Sequence, residues 1–390
     1  MIMKRLPFDY AVRNLGRSPR RLLGILLGNL LVVMIVLAAA SFVEGMRRTF
    51  SPGDLSPNVI LLGVGSEESI ERSEIPATTA GILAASVPGI RTVGGVPFVS
   101  PEILSALILR ENAASTLELR GIVRGITPAA FLVHPRVEII AGRAPRAGAN
   151  ELLIGSLVAE KLSIPRARLA LGQTLWFDDS EWKIVGHFRA PGTVMDAEIW
   201  TPLSDLQIAT RRDAISAVFL TLGEAEFSDI DAFAKMRIDL ELIAIAQSEY
   251  DAALLRFYRP VRIMIWATAI LVALSGTLGG FNSLYAAFSA RSREIGMLQS
   301  LGFSRRAIAL SLIQESLLAA SLALIIALCL GWLFLDGIAI SFSMGVFQLT
   351  LSARVIASAA CTAVVLGLLG SLPPAWHCLR LPITEALKTS

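Results

Sequence analysis

Four stretches of this chain are apolar almost without interruption, and the polar positions crowd between them. Leu22–Val43, Ile263–Ala290 and Val355–Trp376 hold no Asp, Glu, Lys or Arg, and Ala307–Leu335 holds only Glu315. A helix crosses a bilayer core of roughly 30 Å with about 20 apolar residues, and in lipid it satisfies its own backbone hydrogen bonds. The pattern therefore predicts four transmembrane helices, placed at 22–45, 259–290, 305–335 and 355–376.

Between the first and second spans, residues 46–258 read as mixed α/β. The short apolar run "NVILLG" (58–63) predicts a strand. "TTAGILAASVPGI" (78–90) predicts a helix stopped by Pro88-Gly89, and "VGGVPFVS" (93–100) resumes extended structure. Strand-to-helix passages follow in "ELLIGSLVAEKL" (151–162) and "AEIWTPLSDLQIATRR" (197–212). "TLWFDDSEWKIVGHF" (174–188) predicts a hairpin turning at Asp178-Asp179-Ser180. A helix is expected near 228–237 and a strand at Leu240–Ile245. Ser248 to Asp251 has the form of a capping box, a hydroxyl N-cap with a carboxylate three residues on. That places a helix start there, running into the second span with Pro260 as a kink. With Glu44–Phe50 prolonging the first span outward, the two would form a stalk.

A hydrophobic content of 54% against 17% charged residues excludes an ordinary soluble protein. The net charge of +3 is no nucleic-acid signal, because the basic residues mark membrane sides. Lys4, Arg5, Arg13, Arg17, Arg20 and Arg21 precede the first span; Arg291, Arg293, Arg305 and Arg306 flank the turn between the second and third. Loop 336–352 has no Lys or Arg, and Arg380 and Lys388 lie in the tail. Both termini are thus expected in the cytoplasm and 46–258 outside it. Arg256, Arg259 and Arg262 run against the trend, but long translocated domains obey the rule weakly. The first apolar core is longer than a signal peptide's, which favours an uncleaved anchor. Phe8, Val12 and Leu15 line one side of an amphipathic segment over 1–21, expected at the cytoplasmic interface. Cys329, Cys361 and Cys378 all fall in or beside the last two spans, so the external domain is stable without disulfides.

The most informative stretch is "ARSREIGMLQSLGFSRRAI" (290–308), which separates two spans. Ile295, Leu298 and Leu301 recur every three residues with Met297 beside them, while Arg291, Arg293, Glu294, Gln299 and Ser300 are polar. Gly302 follows the last apolar residue, where helices end in a left-handed residue, and Ser304 is placed to cap the third span. A short cytoplasmic helix is expected over 291–304, docked by its apolar side. The simpler alternative, a positive-inside loop, needs the arginines but not the apolar period or the glycine.

Residues 282–318, "NSLYAAFSARSREIGMLQSLGFSRRAIALSLIQESLL", resemble the signature of FtsX-type permeases. The matching positions are Asn282, Arg291, Arg293, Glu294, Ile295, Gly296, Leu298, Leu301, Gly302 and Glu315. "VRGITPAAFLVHPRVEIIAGRAPRAGANELLIGSLVAEKL" (123–162), "WKIVGHF" and "IWTPLSDLQ" resemble the periplasmic domain of MacB-type exporters, and "LPITEALK" the family's ending. The resemblance implies a membrane protein of four transmembrane helices with a large two-lobed α/β extracytoplasmic domain inserted between helices 1 and 2. One lobe would be 50–105 plus 200–247, the inserted one 106–199, with a short outer loop at 336–354 and a cytoplasmic tail at 377–390. It implies the permease subunit of an ABC transporter of the inner membrane. Its partners would be separate ATPase subunits carrying ATP and Mg, a second copy or a related permease, and in some cases a periplasmic adaptor. The coupling segment would dock on the ATPase, with Asn282 and Glu315 supporting it.

No G-x-x-x-x-G-K-[ST] loop is present, so the ATPase is expected on another chain. "LSGTLGG" (274–280) lies inside a span and reads as a small-residue packing face. Glu315 is expected to snorkel or to pair with Arg305 or Arg306. His134, His187 and His377 lack ligand spacing, so no metal is expected, and no catalytic constellation is legible. Export or extraction of an amphiphile, drug, peptide or lipoprotein is the leading reading. A signal relay to a cell-wall hydrolase is the alternative, disfavoured by the size of the external domain. Substrate identity is not encoded in any motif.

Overall fold

A computed structural model describes residues 10, 12–13, 15, 19–50, 57–342 and 345–380. Tyr10, Val12, Arg13 and Leu15 are helical; the rest of the expected interfacial segment before Pro19, and tail residues 381–390, lie outside the described residues. The chain divides into two compact units. Residues 1–45, 260–338 and 349–390 make the first, and 46–259 with 339–348 make the second.

Helix α1 is unbroken from Pro19 to Phe50, and its last turn, from Met46, belongs to the second unit. That unit is a mixed sheet with short covering helices. In chain order it contains β1 (Asn58–Gly63), α2 (Thr79–Ser86), β2 (Thr92–Val93), β3 (Val96–Pro97), β4 (Val99–Leu109), β5 (Leu119–Ile126) and α3 (Ala130–Val133). There follow β6 (Glu138–Gly142), β7 (Glu151–Gly155), α4 (Val158–Leu162), β8 (Thr174–Phe177), β9 (Ser180–Arg189), β10 (Glu198–Pro202) and α5 (Leu203–Thr210). The unit continues through β11 (Ala217–Thr221), α6 (Phe227–Met236), β12 (Leu242–Ala246) and α7 (Gln247–Phe257).

One sheet runs in the order β12-β1-β11-β4-β5-β10-β7-β9-β6, with β8 added on β9. Among the described residues, only the β5–β10 and β7–β9 pairs are parallel. The long strand β4 belongs to both halves: Val99–Glu102 pair with β11, and Ile103–Leu109 pair with β5. The division between lobes expected near residue 105 therefore falls inside a strand. β1, β7 and β11 are buried along their whole length, which is why they read as continuous apolar runs rather than alternations. Edge strand β6 is exposed throughout. The hairpin at 174–188 forms as read. Asp178 and Asp179 take positive φ at its turn, as a two-residue hairpin loop demands, and Trp182 stacks on Phe177 at 4.5 Å in the core.

The expected capping box at Ser248 and Asp251 does not form. Pairing of β12 with β1 holds the backbone extended through Ala246, which becomes the N-cap; α7 starts at Gln247 and no side chain caps it. Both side chains line a cavity instead. The helix also breaks at Tyr258, because Pro260 has no N–H to give to the carbonyl of Arg256.

The first unit holds α1 up to Gly45, α8 (Arg259–Ser289, from Pro260), α9 (Ser292–Ser300), α10 (Arg305–Phe334) and α11 (Ala353–Arg380). Among the described residues, four helices are long and apolar enough to cross a membrane: Leu22–Phe50, Arg259–Ser289, Arg305–Phe334 and Ala353–His377. Val33, Leu37, Ala320, Ala327, Ala359 and Ala363 form their packed centre. Leu37 fills the place where a Cβ at Gly331 would stand, the close approach that small residues permit between helices in lipid.

Loop 336–352 contains an element no periodicity announced. A hairpin of β13 (Ala339–Phe342) and β14 (Gly345–Gln348) belongs to the second unit. Lys161 donates to the Phe342 carbonyl. The ring of Phe342 meets Phe50 and Tyr258 at 5.5 and 5.6 Å, so the end of α1, the end of α7 and the hairpin share one aromatic cluster.

Candidate functional site

The turn between α8 and α10 carries the residues singled out above. α9 is nine residues long and ends as the sequence indicates: Gly302 takes φ +88°, and the Ser304 hydroxyl accepts the Ala307 N–H at 3.2 Å. Arg291 is its N-cap residue, yet its side chain caps nothing. The guanidinium instead gathers three groups. Nε donates to Glu294 Oε2 at 2.9 Å, Nη1 to Glu315 Oε2 at 3.2 Å, and Nη2 to the Tyr10 oxygen at 3.4 Å. Tyr10 donates its own proton to Glu294 Oε1 at 2.8 Å.

Geometry brings these four together. Glu294 follows Arg291 by three residues, a facing separation on a helix, and a carboxylate suits the positive end of α9. Burial disfavours the charge on Arg291, but Glu294, Glu315 and Tyr10 outweigh it and raise its pKa. Burial, then the bond to Glu294, raises the pKa of Tyr10. The knot joins the Arg291 guanidinium to two glutamate side chains and a phenol.

Glu315 thus bonds Arg291, and not Arg305 or Arg306 as expected. On one helix, ten residues advance about 15 Å, beyond the reach of either arginine. Glu315 is buried.

The two faces of α9 differ from the three-residue reading. Ile295 is buried among Leu284, Phe288, Ile308, Leu312 and Ala375, and Leu298 packs against the same cluster. Gly296 is buried as well. Leu301, however, is 68% exposed and Met297 48%. Steps of three fall behind a 3.6-residue turn, so by its second step the series has left the docked face. Arg293, Met297 and Leu301 form instead an exposed row at four-residue spacing. Asn282 is exposed on α8.

A second polar centre escaped the sequence reading. In the sheet of the second unit, Arg124 of β5 makes a two-pronged bond to Glu198 of β10 (Nε–Oε2 2.6 Å, Nη2–Oε1 2.7 Å) and a third to Glu102 of β4 at 2.6 Å. His134 Nε2 lies 2.9 Å from Glu102 Oε1, and the Trp200 indole donates to Glu198 at 2.9 Å. All five side chains are buried. Burial alone would raise the pKa of Glu102, but His134 and Arg124 bring it down to about 2. Burial would lower the pKa of Arg124, and its two carboxylates raise it. Strand pairing explains the grouping. Trp200 and Leu104 stand opposite Arg124, which puts Glu198 and Glu102 on diagonal positions of the same face. Among the described residues no group of His, Cys, Asp and Glu is arranged to hold a metal ion.

Two family models match this chain. The MacB-like periplasmic core domain covers residues 22–235, and the FtsX-like permease C-terminal domain covers 266–383. The chain belongs to the MacB-like, FtsX-like permease family. It is 23% identical over 399 residues to the macrolide export ATP-binding/permease protein MacB of Hahella chejuensis, across 95% of this chain and 57% of that protein. It is 20% identical over 402 residues to the uncharacterized ABC transporter permease YknZ of Bacillus subtilis, covering 98% of each. The chain therefore spans little more than half the length of the MacB relatives. Among solved structures, the periplasmic region of MacB from Actinobacillus actinomycetemcomitans aligns with 51% of this chain and 92% of its own at a TM-score of 0.38 and 12% identity. The extracellular domain of YknZ aligns with 48% of this chain and 99% of its own at a TM-score of 0.36 and 16% identity. This is an ABC-type permease component with apolar helices of membrane-spanning length and a domain of the MacB periplasmic kind.

Proposed function

We propose that this chain relays the motion of ATPase subunits to its extracytoplasmic domain, and so drives export or extraction of a substrate without itself hydrolysing ATP. The observation that carries the reading is the two-sidedness of α9. Its inner side is fastened to α10 by Arg291 and Glu315 and by the cluster around Ile295. Its outer side shows Arg293, Met297 and Leu301, a cation with two adaptable apolar side chains, suited to a groove on a partner. A short helix held this firmly passes a push to the spanning helix instead of absorbing it. The unbroken helix α1 supports an outward path for that motion.

In this reading both termini and α9 face the cytoplasm of a cell whose inner membrane holds the protein. The ATPase subunits bring ATP and Mg, and the permease works as a dimer, with or without a periplasmic adaptor. Glu294→Lys provides the test. Its chain should reach the membrane at wild-type level, because it alters only the turn, yet co-purify in mild detergent without nucleotide-stimulated ATPase activity. Unchanged coupled activity in that variant, or a biological task performed with no nucleotide, would overturn the reading.

A further inference from the structure

The second unit contains a cavity of about 320 Å³ between the first turns of α7, the turn after α3 and the turn at Gly192–Met195. Its volume lies within the range of small-molecule sites, about 300–1,000 Å³. Most of its wall is apolar, from Phe50, Ile60, Val133, Met195, Phe219 and Leu254. Several of its polar side chains are committed. Asn58 donates to the Val133 carbonyl and to Gln247, and accepts from Thr221. Thr193 bonds the Ala190 carbonyl. Arg124 and His134 belong to the buried network described above.

Asp251 is not committed in this way. The buried carboxylates Asp205 and Asp196 of the same unit are tied by several donors. Asp205 accepts from the N–H groups of Gly148 and Asn150 and from Ser204, and Asp196 from Ala190 N–H and Ser156. Asp251 lines the cavity with no hydrogen bond or ion pair among the described residues. Arg136, Arg124, His134 and Tyr250 are the other titratable side chains on the wall. Of these, Arg136 alone acts on Asp251, favouring its charge without bonding it, while burial raises its pKa to about 7. An ionised carboxylate against an apolar wall is a cost to folding unless something pairs with it.

We propose that this cavity binds a small amphiphilic amine, its apolar body among Phe50, Val133 and Leu254 and its ammonium on the Asp251 carboxylate. Protonated amine and carboxylate exchange charge-assisted hydrogen bonds, and the ring or chain displaces water from the apolar wall. The assignment goes beyond the transport reading and needs no ATPase.

The probe is phenylbutylamine, titrated calorimetrically into the full chain in phosphatidylcholine nanodiscs, with empty discs as control. Saturable binding is expected at about pH 8, falling at about pH 5.5 as Asp251 takes a proton. Asp251→Asn, which removes an unpaired charge and so folds at least as well, should bind about tenfold more weakly or worse. The neutral isostere phenylbutanol should bind wild type as weakly as the amine binds that variant. Val133→Trp, which fills the cavity, should lose both ligands. No binding to wild type, equal binding to Asp251→Asn, or tighter binding of the anion phenylbutyrate would each overturn the proposal. Glu294→Lys should bind the amine like wild type, so failure of the ATPase reading and failure of this one are separable.

Discussion

Arg291 reaches Glu315 across the turn between two spanning helices, with Nη1 3.2 Å from Oε2 and both side chains largely shielded from solvent. Charge removal at either end takes a bonded partner from the other. Arg291→Met should remove the guanidinium that Glu294 and Glu315 both bond and lower stability by about 3 kcal/mol, the scale for breaking a buried pair. Glu315→Met should cost a similar amount. The double variant should recover part of it, because an apolar pair of like volume then replaces the Arg291–Glu315 bond and only the Glu294 contact is lost. Melting temperatures in a single detergent measure this cycle. Coupling near zero, instead of about 1–3 kcal/mol, would show that the bond does not hold α9 in place.

The outer row of α9 should behave in the opposite way. Arg293→Glu, Met297→Asp and Leu301→Asp alter exposed side chains, so each should change stability by no more than about 0.5 kcal/mol. Each should nevertheless weaken association with the ATPase by about tenfold or more, if the row sits at the centre of that contact. Ile295→Asp is the contrasting control, since it puts a charge into the apolar cluster and should damage folding itself. Quantitative co-purification of the three outer variants checks the row. Retention of partner and activity in all three would move the contact elsewhere on the chain.

The ends of α9 were legible because they depend on local backbone chemistry. Gly302 and Ser304 announce a stop and a start within three residues. The inward side was legible for Ile295 and Leu298 but not for Leu301, where a three-residue count drifted off the helical face. The knot was not legible at all. Tyr10 lies 281 residues before Arg291, and no spacing rule connects them. The same holds for Arg124. Its carboxylates come from β4 and β10, so their shared face exists only once those strands pair with β5. The one local hint was a single charge in each of three apolar runs, such as Glu102 within "SPEILSALIL". Ser248 and Asp251 failed as a cap because a strand pairing decided where the preceding backbone stayed extended, a constraint that outranks local propensity.

The buried network makes a pH prediction of definite sign. Glu102 has an ordinary pKa of 4.5 and a folded one of about 2. A carboxylate depressed on folding contributes fully above its unfolded value and loses that contribution as pH falls through the folded one. The melting temperature of the second unit, followed by near-ultraviolet dichroism of buried Trp182 and Trp200, should therefore decline as pH drops from about 4.5 toward 2. Arg124→Met should reverse the slope. With the guanidinium gone, Glu102 keeps His134 but shares its face with Glu198 without the cation that joined them, and the Glu102 pKa rises. Protonation of Glu102 then relieves repulsion, so the variant, destabilised at neutral pH, should gain stability on mild acidification before any general acid unfolding. An acid profile parallel to that of wild type would mean the three strands are held by their backbone pairing and apolar packing, with Arg124 contributing little.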